Sequence, residues 1–311
     1  MTKKTNTISL VEHREALNHY VENSDKEGLR DIAEKILNCT QIIGSSDDFY
    51  DFGIGLARLN DYEMACRIFE RGLDVYTSSV DLLAGYILYG IDCDGNRTKC
   101  ESCYKMLRAI PDERWTWRGY SFSLQYLYTL LQMTNPNDVE RLKELNEEMV
   151  ALIDLFRKKS PKDERIYIAE ARLYSTSEPE REFNTLEVAV QNLSICPRCA
   201  YQYAVLLINR ANSSDDYRKA LGALKKALKL STDADNINFK NVYFLQGLCL
   251  KELLSDEDYK NKEKIKEIYE CFNVAQIDTD DGVVLSNNFH KMLKQQISIL
   301  YKLTNISWEN E

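Results

Sequence analysis

The chain has 311 residues, 44% of them hydrophobic, with a net charge of −9 and only 12 Gly and 5 Pro. This length suggests two domains or one elongated domain, and the scarcity of turn residues disfavours a fold of many short strands. The acidic balance argues against a nucleic-acid partner, because sequence-independent binding requires clustered Lys and Arg.

No stretch of the sequence approaches the roughly 20 apolar residues of a membrane span, and the opening segment MTKKTNTISL lacks the apolar core of a secretory signal. The nine cysteines are an odd number and are spread along the chain. This distribution is typical of reduced thiols rather than of a disulfide framework. We therefore expect a cytoplasmic protein without a membrane partner.

Residues 1–45 predict an N-terminal helical pair. The segments SLVEHREALNHYVEN (9–23) and DKEGLRDIAEKILNC (25–39) both carry apolar residues at helical spacing. Either Ser24 or Asp25 is a plausible N-cap for the second helix, since both side chains can accept a hydrogen bond from its first free amides.

The next segment, FYDFGIGLARLNDYEMACRIFERGLDVY (49–76), predicts two more amphipathic helices joined by a short polar turn. The small residues Gly53 and Ala65 allow the two helices to approach closely, while Phe52, Leu56 and Phe69 fill the space between them. One such pair cannot bury its apolar face alone, so neighbouring pairs must stack.

This pattern resembles the tetratricopeptide repeat, a helix pair of about 34 residues. The register places the start of the first repeat at Ser46 and puts Tyr62 on the aromatic that opens the second helix. Related patterns recur with lower fidelity, and the six predicted repeats start at residues 46, 81, 114, 164, 197 and 240. Two longer intervals place insertions in the third and sixth repeats, around TNPND (134–138) and SDEDYKNKEK (255–264).

The resemblance implies an all-α fold, a right-handed α-solenoid of about six helix pairs with capping helices at both ends. We predict an N-terminal helical pair at 1–45, a solenoid at 46–280, and a C-terminal capping helix and tail at 281–311. The segment DTDDG (278–282) has the composition of a calcium loop but lacks the required Glu, so we interpret it as a helix-capping loop.

Two C-x-x-C pairs raise the alternative of a zinc or thiol-redox protein: Cys100 with Cys103, and Cys196 with Cys199. A zinc site built from two such pairs needs a much shorter separation than the one between these pairs. Each pair also has a structural explanation, as small buried residues or as neighbours of a turn at Pro197. We therefore expect no metal or other cofactor.

In tetratricopeptide-repeat proteins the first helices line a concave groove, so the resemblance implies a set of peptide-binding candidates in this chain. For some of the aromatic candidates, the alternative to a groove position is burial against a neighbouring repeat. The candidates are Tyr50, Ile54, Arg58, Tyr89, Arg118, Phe122, Arg172, Tyr201, Val205 and Phe244.

The sequence contains no phosphate-binding Gly-rich loop, nucleophile elbow or zinc-protease motif, which favours recognition over catalysis. The function expected is a scaffold or adaptor that binds a protein or peptide in an aromatic-lined groove. A ligand-responsive regulatory receptor built on the same repeats is the alternative. The oligomeric state is not indicated by the sequence.

Overall fold

The computed structural model describes residues 7–93, 96–232, 237–276 and 287–306. It is all-α apart from one short pair of strands, as predicted. The chain divides into two compact units, an N-terminal unit of residues 1–161 and a C-terminal unit of residues 162–311. In the part of the chain that is described, no helix has the length and apolar character needed to cross a membrane.

The N-terminal unit contains eight α-helices among its described residues. They are α1 (Arg14–Glu22), α2 (Lys26–Asn38), α3 (Ser46–Arg58), α4 (Tyr62–Leu73), α5 (Val80–Gly90), α6 (Arg97–Arg108), α7 (Trp117–Met133) and α8 (Val139–Lys159).

The C-terminal unit continues with seven helices in its described ranges. They are α9 (Glu164–Tyr174), α10 (Pro179–Asn192), α11 (Pro197–Arg210), α12 (Ser214–Leu230), α13 (Phe239–Glu252), α14 (Lys262–Gln276) and α15 (Asn287–Thr304).

The helix starts follow from capping residues in the sequence. Asp25, one of the two predicted caps, accepts a hydrogen bond from the amide of Gly28 at the start of α2. Ser45 and Asp48 form a reciprocal capping box that fixes the start of α3 at Ser46, the predicted beginning of the first repeat. Asp61 caps α4, which therefore begins at Tyr62.

The tightest packing within a helix pair is between a glycine and a phenylalanine ring. A Cβ atom at Gly53 would lie 2.2 Å from the ring of Phe69, so only glycine allows α3 and α4 to approach this closely. The same arrangement recurs in the C-terminal unit, where a Cβ at Gly247 would lie 2.5 Å from Phe272. Both rings are fully buried.

Polar contacts connect the first helices of successive pairs. The contacting residues are separated in sequence by about one repeat length. Arg14 contacts Asp48, 34 residues later, at 2.6 Å. Arg118 donates to Asp81, 37 residues earlier, at 2.7 Å. In the C-terminal unit, the Glu164 carboxylate accepts a hydrogen bond at 3.0 Å from the amide of Arg198, 34 residues later.

Glu164 therefore acts as a cap supplied by a neighbouring pair, since its Oε2 also accepts from the amide of Cys199 at 3.2 Å. We expect Glu164→Gln to lower the free energy of unfolding by about 1 kcal/mol, because the helix start loses a charged acceptor. Urea unfolding of the full chain measures it. Glu180→Gln, at a highly exposed side chain paired with Arg210, is the matched control and should change stability far less; equal effects would contradict the capping role.

Three details differ from the sequence-based expectation. Strand β1 (Thr7–Ser9) pairs in parallel with β2 (Gln41–Ile43), a contact between distant segments that no local pattern indicated. The extra length of the third repeat lies in its helices, because α7 has 17 residues and α8 has 21, while 134–138 is a short connection. The repeat pattern predicts that Ile195 closes the helix before Pro197, but α10 ends at Asn192 and Ile195 lies exposed beyond it.

Candidate functional site

The N-terminal unit carries a row of aromatic rings on three helices, which we name the aromatic surface: Tyr62, Tyr89, Phe122 and Trp117. The rings of Tyr62 and Tyr89 are stacked with centroids 5.7 Å apart. Tyr89 meets Phe122 edge-on at 6.5 Å, and Phe122 meets Trp117 edge-on at 6.3 Å. Each ring contacts the next, so the row is continuous.

The aromatic surface is accessible although its members contact one another. Tyr62 is 36% exposed and Trp117 is 40% exposed, while Tyr89 and Phe122 are half-buried. Burial, and then the neighbouring Tyr62, raise the pKa of the Tyr89 hydroxyl. The ring is therefore neutral at physiological pH and presents a face suited to apolar side chains.

Two buried residues pack against this row on its inner side. Phe69 stacks on Tyr89 at 6.3 Å and contacts Tyr50 at 6.2 Å. Tyr50, a predicted groove residue, is only 6% exposed, and burial strongly raises the pKa of its hydroxyl. Tyr50 and Phe69 therefore hold the exposed rings in place rather than forming the outer surface themselves.

Arg118, a second predicted groove residue, has its guanidinium occupied within the unit. It lies over the ring of Tyr50 at 4.5 Å and that of Trp117 at 5.2 Å. It also donates to Asp81, which in turn accepts from the Thr116 hydroxyl at 2.5 Å. This arrangement orients the Trp117 end of the aromatic surface.

Ile54 and Arg58 lie on α3, which also carries Tyr50. They follow Tyr50 at intervals of four residues, so the three side chains share one face of the helix. Ile54 is half-buried and Arg58 is exposed in the last turn. With Tyr89 and Phe122, these residues complete the predicted candidates in this unit.

The candidates in the C-terminal unit have a different environment. Phe244 is 5% exposed and packs against Phe272 and against Phe289 of α15. Tyr201, a residue of α11, is partly buried and packs against the core of this unit. Arg172 and Val205 are half-buried. The described residues here form no continuous exposed row of rings comparable to the aromatic surface.

The Cys196–Cys199 pair lies at the start of α11. Cys196 is the residue before the helix and Pro197 is its first residue, so the proline begins this helix. Both thiols are fully buried. Burial raises the pKa of Cys196 and, more strongly, that of Cys199, which also lies beside Glu164. Such an environment disfavours the reactive thiolate and is typical of structural cysteines.

Cys100 and Cys103 lie on α6 and are also buried. Burial raises the pKa of Cys100 to about 12 and that of Cys103 to about 11. All nine thiols are free. Within the described residues, no group of three or more His, Cys, Asp and Glu side chains is arranged to hold a metal ion. The DTDDG segment (278–282) lies outside the described residues.

Two members of the aromatic surface were absent from the predicted groove set. The register predicts Tyr62 only as the aromatic that opens a second helix, and it does not include Trp117 among the groove candidates. A usable signal existed for both, since each is a large aromatic residue at the first position of a helix. At this position a ring has few neighbours within its own helix and can extend over the adjacent one.

Solved structures with a similar architecture identify the fold. A thermophilic TPR protein of Thermus thermophilus, TTC0263, superposes with a TM-score of 0.50 at 18% sequence identity, over 67% of this chain and 100% of that one. The chain has a tetratricopeptide-repeat fold. The APC/C hetero-tetramer Cut9–Hcn1 gives a TM-score of 0.50 at 14% identity over 90% of this chain, which spans about half, 48%, of its match.

The tetratricopeptide-repeat fold is shown by the structural comparison alone. No protein-family model and no curated protein matches the sequence. The low identities agree with the sequence, in which the repeat pattern recurs with lower fidelity after the first repeat. The function of the site must therefore be inferred from its own residues.

Proposed function

We propose that the N-terminal unit is a peptide-docking module, and that the protein acts as a cytoplasmic scaffold or adaptor through it. The observation that carries the proposal is the continuous, partly exposed row of rings formed by Tyr62, Tyr89, Phe122 and Trp117. Aromatic side chains of this kind are enriched where proteins bind one another.

The physical basis is burial of apolar surface at small entropic cost. Ring faces offer large contact areas with few rotatable bonds, and here each ring is already held by its neighbours. Phe69 supports Tyr89, and Arg118 fixes the Trp117 end, so docking need not order these side chains. A preformed surface retains more of the interaction energy as affinity.

The fold is consistent with this role, because stacked helix pairs create extended binding surfaces. One solved neighbour is a chain of the APC/C hetero-tetramer Cut9–Hcn1, an assembly of two kinds of protein chain. For this chain we infer only that it associates with another protein.

The test is a selection for binding peptides. A displayed library of random short peptides is selected on the full chain, and the affinity of recovered peptides is measured by fluorescence polarisation. We expect peptides rich in aromatic and aliphatic residues whose binding is weakened by Tyr89→Ala and unchanged by Tyr301→Ala, a control at an exposed tyrosine of α15. Recovery only of peptides that bind Tyr89→Ala equally well would contradict the proposal.

A further inference from the structure

The three arginines predicted to face a ligand differ in whether other groups of the protein contact their guanidinium. Arg118 is held by Asp81 and by two rings. Arg172 also has an interaction partner. Arg58 is exposed and, among the described residues, makes no hydrogen bond or ion pair. Of these three described arginines, Arg58 alone has a guanidinium without a hydrogen-bond or ion-pair partner or a ring contact.

Arg58 lies at the Tyr62–Tyr89 end of the aromatic surface. It shares a helix face with Ile54, and the chain turns directly after it into α4, which opens with Tyr62. Its positive charge is close enough to Tyr89 to lower the pKa of that hydroxyl, against the larger upward effects of burial and of Tyr62. A cation therefore borders the stacked tyrosine pair.

We propose that Arg58 selects partner segments in which an acidic side chain lies next to the apolar residues that dock on the aromatic surface. This inference rests on the proposed function and specifies the chemistry of its partner. Guanidinium groups pair with carboxylates through two parallel hydrogen bonds, and a charge at the rim of an apolar site gives orientation and specificity.

The acid is an internal side chain rather than a chain terminus. Capture of a C-terminal carboxylate generally uses several donors that converge on it. Arg58 is a single exposed donor group at the edge of the rings. A Glu or Asp side chain can reach it from a backbone that lies across Tyr62 and Tyr89.

The experiment selects random displayed peptides on the wild-type chain and, in parallel, on Arg58→Glu. We expect Tyr89-dependent peptides from the wild type to be enriched in Asp or Glu beside an apolar residue, and those from the variant in Lys or Arg. A wild-type-selected peptide, synthesised with an amidated C-terminus, should bind Arg58→Glu about fivefold more weakly. The difference should shrink at high salt because the pair is exposed.

Arg97→Glu makes the same change of charge at an exposed residue of α6 and should leave affinity unchanged. Tyr89-dependent peptides without acidic enrichment, equal binding to Arg58→Glu, or a requirement for a free C-terminal carboxylate would each overturn this inference and leave the docking module intact. Absence of any Tyr89-dependent peptide would overturn the proposed function itself.

Discussion

Replacing Phe69 with Ala should lower the free energy of unfolding by about 3–5 kcal/mol, the usual cost of deleting a fully buried phenylalanine. Its ring fills the narrow space between Gly53 on α3 and Gly85 on α5. It also supports Tyr50 and Tyr89. The surrounding helices cannot close the resulting cavity without moving these rings, so most of the lost contact energy should appear as destabilisation.

Urea unfolding of the full chain gives the size of the effect, and hydrogen exchange gives its location. We expect faster exchange in α3, α4 and α5. Val139→Ala, at an exposed side chain of α8, is the surface control and should change stability by less than about 0.5 kcal/mol. Phe272→Ala, at the equivalent ring of the C-terminal unit, should instead raise exchange in α13 and α14. A loss below about 1 kcal/mol for Phe69→Ala would contradict the assigned packing.

Replacing Tyr89 with Ala should weaken binding of selected peptides about 30-fold, which corresponds to about 2 kcal/mol for the loss of a central aromatic contact. Tyr89 lies between Tyr62 and Phe122, so its removal interrupts the row of rings. It also removes the stacking partner of Phe69. Titration calorimetry or fluorescence polarisation measures the change in Kd.

Two controls separate binding from folding. Tyr89→Phe retains the ring and should keep affinity within about threefold, since only the hydroxyl is lost. The circular dichroism spectrum of Tyr89→Ala should match that of the wild type at the assay temperature. Equal losses for the Phe and Ala variants would show that the hydroxyl, rather than the ring row, carries the interaction.

The helix pairs were predictable because their determinants are local. The small residue at Gly53, the ring at Phe69 and the capping residues before α3 and α4 lie within one short segment. Each contact in a stacked helix pair joins residues close in sequence. The repeat register therefore predicted a start at Ser46, which is the first residue of α3.

The contacts between distant segments were not predictable in this way. The pairing of Thr7–Ser9 with Gln41–Ile43 depends on how α1 and α2 fold back, which the sequence of either strand does not specify. Similarly, the repeat position of Phe244 predicts a groove-facing ring, but Phe289 of α15 packs against it.

The candidate site was predicted in part. The repeat register located Tyr89 and Phe122 on neighbouring first helices, but it gave no means of separating exposed rings from supporting ones. Arg118 lies over the buried ring of Tyr50, a contact made between helices two repeats apart. The different states of Arg58 and Arg118 likewise follow from Asp81, which only the folded unit brings to Arg118.

Fluorine NMR of the full chain labelled with fluorotryptophan tests docking on the aromatic surface most directly. The sequence contains three tryptophans, Trp115, Trp117 and Trp308, and substitution of each with Phe assigns its signal. Trp115 is buried, whereas Trp117 lies at the end of the aromatic surface. Titration with a selected peptide should shift the Trp117 signal and leave the signal of the buried Trp115 nearly unchanged. Saturated binding with an unmoved Trp117 signal would contradict the account.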